Sequence, residues 1–204
     1  LYSSTGTTAT TYGSITAPTN LGSGGANSPA GSGGGGGGAV QLTITGAFTV
    51  AGTISANAPA VEGGAGSGGS IYIIAASISG AGTIRANGGN GSGSYDAGGG
   101  GGRIAIILTG PGSDFDDFSG ATTAYGGIDS ELQGGAAGTV YLETGPQDSG
   151  EGTLIVDNGD MAVYQKGVYT LMPAAVNVNN FSEVIIRNKG ILAVDADDIL
   201  DFGV

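Results

Sequence analysis

An all-β fold of stacked repeats is predicted for this 204-residue chain by three observations. A hexapeptide occurs twice, as GTISAN at 52–57 and GTIRAN at 82–87, 30 residues apart. A strand-like apolar segment follows each glycine-rich run, beginning at Val40, Ile71, Ile104 and Val140 in steps of 31, 33 and 36 residues. These segments alternate, with Val40, Leu42 and Ile44 on one face and Gln41 and Thr43 on the other, which is the period of a half-buried strand. Self-similarity over about 20 to 50 residues marks units that bury their inward faces only by stacking on one another.

In chain order, residues 1–38 form an N-terminal region. It holds a Ser/Thr-rich extended segment, a degenerate first copy of the repeated strand at Gly13-Ser14-Ile15-Thr16-Ala17, and a glycine loop ending in Gly33 to Gly38. That loop is expected to be turn-rich rather than a flexible linker, and its glycines can let two backbones approach closely. Residues 39–204 carry the repeats. The first has strands at Val40–Ile44, Phe48–Val50 and Thr53–Ala56, and a loop at 58–69. The second has Ile71–Ile74, Ser77–Ser79 and Thr83–Ala86, with a loop at 87–102. The third opens at Ile104–Leu108, carries an insertion from Pro111 to Ser119, and resumes at Thr122. The fourth joins Val140–Glu143 to Leu154–Gly159, and the fifth spans Val176–Val178, Val184–Asn188 and Ile191–Val194. LIVDNG at 154–159 and IIRNKG at 185–190 are again 31 residues apart.

Three short strands and then a loop return the chain to its starting point. The expected architecture is therefore a right-handed parallel β-helix, a solenoid of about five coils with glycine-rich loops, its hand following the general preference of parallel crossovers. A β-sandwich would explain the turns, but not the near-identical copies.

Composition narrows the function classes. Gly supplies 45 residues and charged residues only 11%. Glycine does not recur at every third position, as collagen requires, and the apolar runs are too regular for ordinary disorder. With neither Cys nor His, disulfides and thiol or imidazole metal sites are excluded. A net charge of -12 disfavours nucleic acid and anionic membranes, and no apolar run is long enough for a membrane-spanning helix. The chain opens Leu1-Tyr2-Ser3, which reads as a processed chain or a piece of a longer one. Low charge, many small residues and absent Cys point to a secreted or cell-surface setting.

The order GGSIYI, GAGTIRANGG, a glycine run with RIAI, then GTVYL and LIVDNG resembles the glycine-rich β-helical repeats of large bacterial surface and extracellular proteins, over roughly residues 39–190. The resemblance implies architecture and an extracellular setting, and carries no catalytic residues.

Side-chain chemistry points the same way. Asp114, Asp116 and Asp117 are the densest acidic cluster; oxygen ligands of this kind could take calcium, but the spacing lacks the glycine and final glutamate of a calcium loop, so a solvated loop is expected. Asp195, Asp197, Asp198 and Asp201 are read as keeping a terminal edge soluble or meeting a partner. No glycine run opens a helix, so none is a phosphate loop. Thr43, Thr45, Thr49 and Thr53 read as ordinary outward strand residues. Asn57, Asn87, Asn158 and Asn188 each follow a strand and are assigned a structural ladder. Tyr72 and Tyr141 are expected outward, as exposed tyrosines or a carbohydrate-contacting stripe. No enzyme activity, cofactor or metal is expected.

The strongest functional expectation concerns the ends. A β-helix ends in unpaired backbone groups unless something covers them, and no capping helix is legible. Uncapped, compatible ends favour head-to-tail addition, a non-closing contact that builds filaments. The expected function is thus a structural subunit of an extracellular filament, sheath or appendage, a homopolymer whose interface uses Tyr2, Ile15, Ile191, Leu192, Val194, Ile199, Leu200 and Phe202. The alternatives are a fragment of a large surface adhesin and a polysaccharide-active β-helix enzyme.

Overall fold

The computed structural model describes residues 12–28, 31–92, 97–129, 134–161, 168–172 and 180–193. They form eleven strands: β1 (Ala39–Thr49), β2 (Thr53–Ser55), β3 (Ser70–Ser79), β4 (Thr83–Arg85), β5 (Arg103–Leu108), β6 (Ala121–Thr123), β7 (Thr139–Glu143), β8 (Thr153–Asp157), β9 (Thr170–Leu171), β10 (Glu183–Arg187) and β11 (Leu192–Ala193). One sheet has the order β1-β3-β5-β7-β8-β10, a second β2-β4-β6, and a third β11-β9.

The repeat positions stack in register. Val40 pairs with Ile71, Ile71 with Ile104 and Ile104 with Val140, all in parallel. In the second sheet Ile54 pairs with Ile84, and Ile84 with Thr122. The inward residues of the two sheets share one core, in which Ile71, Ile73, Ile84, Ile104 and Ile106 are fully buried and Val40, Leu42, Ile44, Phe48 and Ile54 of the first layer are half-buried. Stripping any of these fully buried isoleucines to alanine costs about 2–5 kcal/mol.

Glycine arms join each layer to the next. Their bases close through one recurring bond, from the N–H of Gly69, Gly102 and Gly138 to the carbonyls of Ala56, Ala86 and Ala124. Within and between arms the bonds recur every third residue. The N–H groups of Gly22 and Gly25 donate to Gly37 and Gly34, those of Gly34 and Gly37 to Gly64 and Ser67, and those of Ala65 and Gly68 to Ala97 and Gly100. A period of three is that of an extended helix with three residues per turn and no internal hydrogen bonds. Apart from Gly63, the described glycines of these arms avoid the left-handed region, so their role is absence of a side chain rather than freedom of φ. Around the segment 33–37 the faces separate. A Cβ on Gly33 or Gly36 would strike Gly25 or Gly22, one on Gly34 or Gly37 would strike residues of the next arm, and Gly35 has nothing within 4 Å. The turn-rich loop expected from sequence is therefore a packed bundle, and threefold periodicity is present in the hydrogen bonds although not in the glycine spacing.

Two expectations are corrected. Residues 13–17 form no strand and pair with neither β1 nor β2. They cross the outer face of the large sheet, where Ile15 packs with Ala105, Tyr141, Leu154 and Met172. The repeats also reverse direction. Residues 154–157 do not continue the fourth repeat into the second sheet; β8 lies antiparallel against β7, with Leu154 opposite Tyr141. The connection is too short and too tightly turned to cross. Gln147 Oε1 accepts the Thr144 N–H at 2.8 Å, Gly150 takes a φ of 91°, and Gly152 packs against Leu142 and the Tyr141 ring. Beyond the reversal, β10 stacks parallel on β8, with Val184 on Leu154 and Arg187 on Asp157.

The outer face is thus a second core rather than a wet surface. Tyr141 is fully buried, its ring 5.8 Å from that of Phe181. Its hydroxyl donates to Glu143 Oε2 and accepts the Gly152 N–H at 2.8 Å. Burial, reinforced by the bond to Glu143, raises its pKa well above the ordinary tyrosine value. Tyr72 is half-buried against the same cluster.

Candidate assembly surface

Both edges of the large sheet are unpaired among the described residues, at β1 and at β10. The β1 edge is eleven residues long, AVQLTITGAFT, and contains neither charge nor proline. Natural edge strands are usually blunted by such residues. Beneath it the half-buried Val40, Leu42, Ile44 and Phe48 leave the end of the core only partly covered.

Glycine ladders end at the same surface. A Cβ on Gly135 would collide with the carbonyl of Gly99, one on Gly99 with that of Gly66, and one on Gly66 with that of Gly35. The same holds from Gly138 through Gly102 and Gly69 to Gly38, and from Gly120 through Gly82 to Gly52. Each later glycine is required by the layer before it. The first members, Gly35, Gly38 and Gly52, have nothing within 4 Å. At these three positions the space that backbone of the preceding layer fills in later layers is open among the described residues.

The β10 edge is mixed. Ile186 is 50% exposed and Ile191 54% exposed, while Glu183 and Arg187 put charges on the strand. Arg187 Nε bonds Asp157 at 2.8 Å; an exposed pair of this kind contributes little.

Of the interface residues expected from sequence, Ile191 is exposed, Leu192 packs partly against the outer core, and Ile15 is 3% exposed. Burial removes the Ile15 side chain from any contact with a second molecule. Tyr2, Val194, Ile199, Leu200 and Phe202 lie outside the described residues, as do Asp195, Asp197, Asp198 and Asp201. Sequence reasoning missed Gly35, Gly38 and Gly52. Their signal was available as glycines repeating at layer spacing, but only the positions of the later members give it meaning.

The asparagine ladder joins three of its four expected members to neighbouring arms. Asn57 Oδ1 accepts the Asn87 N–H at 2.8 Å, Asn87 Oδ1 accepts the Tyr125 N–H at 2.8 Å, and Asn158 Oδ1 accepts the Gly126 N–H at 2.9 Å. Asn188 instead turns the chain, with φ 49°, and donates to Asp157. Thr43, Thr45, Thr49 and Thr53 are exposed. In the insertion the Asp116 N–H bonds Asp114 Oδ1 at 3.1 Å, and Phe115 and Phe118 pack against the core. The phenylalanines anchor the loop and leave its carboxylates at the surface. Comparisons with protein-family models, with curated proteins and with solved structures yield no match.

Proposed function

We propose that the chain is a structural subunit of an extracellular or cell-surface filament, built as a right-handed parallel β-helix that adds a second copy of itself to its open first layer. The observation that carries this reading is the set of first-layer glycines, Gly35, Gly38 and Gly52, whose open Cβ positions match those filled by backbone in every later layer. The adjoining β1 edge offers unpaired backbone groups and an incompletely covered apolar core, the combination that promotes strand addition.

The donor proposed is β10 of the next copy. It belongs to the same sheet and runs opposite to β1, because β7 and β8 are antiparallel. Simple translation therefore brings the two edges together as an antiparallel pair, and Ile186 and Ile191 add apolar surface. A head-to-tail contact of this kind does not close.

The test is negative-stain microscopy and sedimentation of the purified chain beside a Gln41→Lys/Thr43→Lys variant. Filaments from the parent chain, and monomers from the variant with an unchanged circular dichroism spectrum, are expected. A monomeric parent at all concentrations, or a closed dimer, would overturn the reading.

A further inference from the structure

A cavity of about 180 Å³ lies between the outer face of the large sheet and the segments that cover it, lined by Tyr12, Arg103, Thr139 and Tyr169 with glycine backbone from two arms. Ser70, Arg103 and Thr139 are lateral neighbours on β3, β5 and β7, on the face opposite Ile71, Ile104 and Val140. Ser70 is satisfied, its hydroxyl donating to the Asn20 carbonyl at 2.6 Å. Arg103 shares a side-chain hydrogen bond with Tyr12, but one atom of Arg103 and one of Thr139 are left unsatisfied.

Arg103 Nε and Thr139 Oγ1 are both buried and have no hydrogen-bond partner, and Thr139 is 4% exposed. A buried donor left unbonded costs about 1–3 kcal/mol, and here both residues that carry one line the same cavity. Arg103 also lacks a carboxylate partner among the described residues, where the ion pair is that of Arg187 and Asp157. Its guanidinium carbon lies 5.2 Å from the centre of the Tyr12 ring. Tyr12 is itself held by bonds of its hydroxyl to the Leu21 carbonyl at 2.9 Å and Ser23 Oγ at 2.7 Å. The cation is thus positioned on one side by an aromatic face while its buried Nε makes no hydrogen bond. Thr170, on the covering segment, is tied to the Ala137 carbonyl at 2.6 Å, which keeps Tyr169 at the rim, 44% exposed.

We propose that this cavity is a binding site for a small organic carboxylate of sugar-acid size. The Nε and terminal nitrogen of a guanidinium match the two oxygens of a carboxylate in one plane. The Thr139 hydroxyl supplies a third donor, and the Tyr169 ring covers the apolar face of a bound ring. A partly desolvated cation without a counter-ion in a chain of net charge -12 favours a ligand that brings one negative charge.

The experiment measures thermal stabilisation and calorimetric binding of the full chain with glucuronate, glucose, acetate and sulfate at matched millimolar concentrations. A ligand that binds the native state raises the melting temperature in proportion to its occupancy. Glucuronate is expected to stabilise more than acetate, and glucose not at all. Arg103→Gln should abolish the effect. Because that change sits against the covering segment, the near-isosteric Thr139→Val provides a second arm, expected to weaken glucuronate about two- to tenfold by loss of one hydrogen bond. Equal stabilisation by glucose, tighter binding of sulfate, absence of any binding, or undiminished binding by both variants would each overturn the assignment.

Discussion

A methyl group at Gly99 would collide with the carbonyl of Gly66, whereas at Gly35, the equivalent place in the first layer, nothing lies within 4 Å. Two substitutions of identical chemistry should therefore behave differently. Gly99→Ala should lower stability by about 1–3 kcal/mol through overpacking, read as a fall of several degrees in melting temperature. Gly35→Ala should leave the dilute monomer within about 0.5 kcal/mol of the parent yet suppress assembly. Tyr141 gives a second residue-scale prediction. Its pKa is raised in the folded state from the ordinary 10.0 by burial and by the bond to Glu143. The folded chain holds this proton more tightly than the unfolded chain, so the contribution is fully present below pH 10.0 and is lost as pH rises beyond it. Tyr125 shifts in the same direction, chiefly through desolvation. Chemical denaturation followed across alkaline pH should show stability falling above the ordinary tyrosine range, and Tyr141→Phe should flatten that fall. The variant should also cost about 1–3 kcal/mol at neutral pH, because the 5%-exposed Glu143 loses a donor.

Among the elements, the places of the strands in the first three repeats were legible because period-two alternation and layer spacing agree, but not their number: the first two strands expected in each of the first two repeats run on as one, β1 and β3, with only a register shift between Ile44 and Ala47. Val40, Ile71, Ile104 and Val140 were aligned by their position after glycine runs, and they are the residues that pair. The reversal after Glu143 was less legible. Thr144-Gly145-Pro146-Gln147-Asp148-Ser149-Gly150 is a dense run of turn formers between two apolar segments, which is a hairpin signal, but the similarity of 154–159 to 185–190 drew both into the same stacking pattern. That similarity is real, since the two strands do stack on each other; what it does not carry is the direction of the pair relative to β7. The hairpin should depend on Gly152, where a Cβ would press into the Leu142 carbonyl and the Tyr141 ring. Gly152→Val is expected to unfold β8 and β10 before β1 to β7. Hydrogen exchange resolved by strand would show it as early loss of protection confined to residues 153–157 and 183–187. Uniform loss across both groups would mean that the reversed layers and the parallel stack unfold as one unit.

For the whole molecule, composition alone conveyed an ordered all-β chain but not its two cores. The outer core was hidden because alternation assigns Tyr72, Ala105 and Tyr141 to the face away from the stack, and periodicity cannot say whether other segments return to cover that face. Residues 12–17 and the strands after the reversal do cover it. The cavity around Arg103 was hidden for the same reason, being formed by segments distant in sequence. Among the described residues the first layer lacks such a cover at β1, and in the proposed assembly a second copy supplies it through β10. Since the chain contains no cysteine, a Thr43→Cys chain and an Ile186→Cys chain can be mixed under oxidising conditions without competing thiols. The measurement is the composition of the cross-linked species by mass spectrometry. Head-to-tail assembly predicts that most disulfides join position 43 of one chain to position 186 of another; products joining 43 to 43, or none above the level of an unrelated surface cysteine, would contradict it.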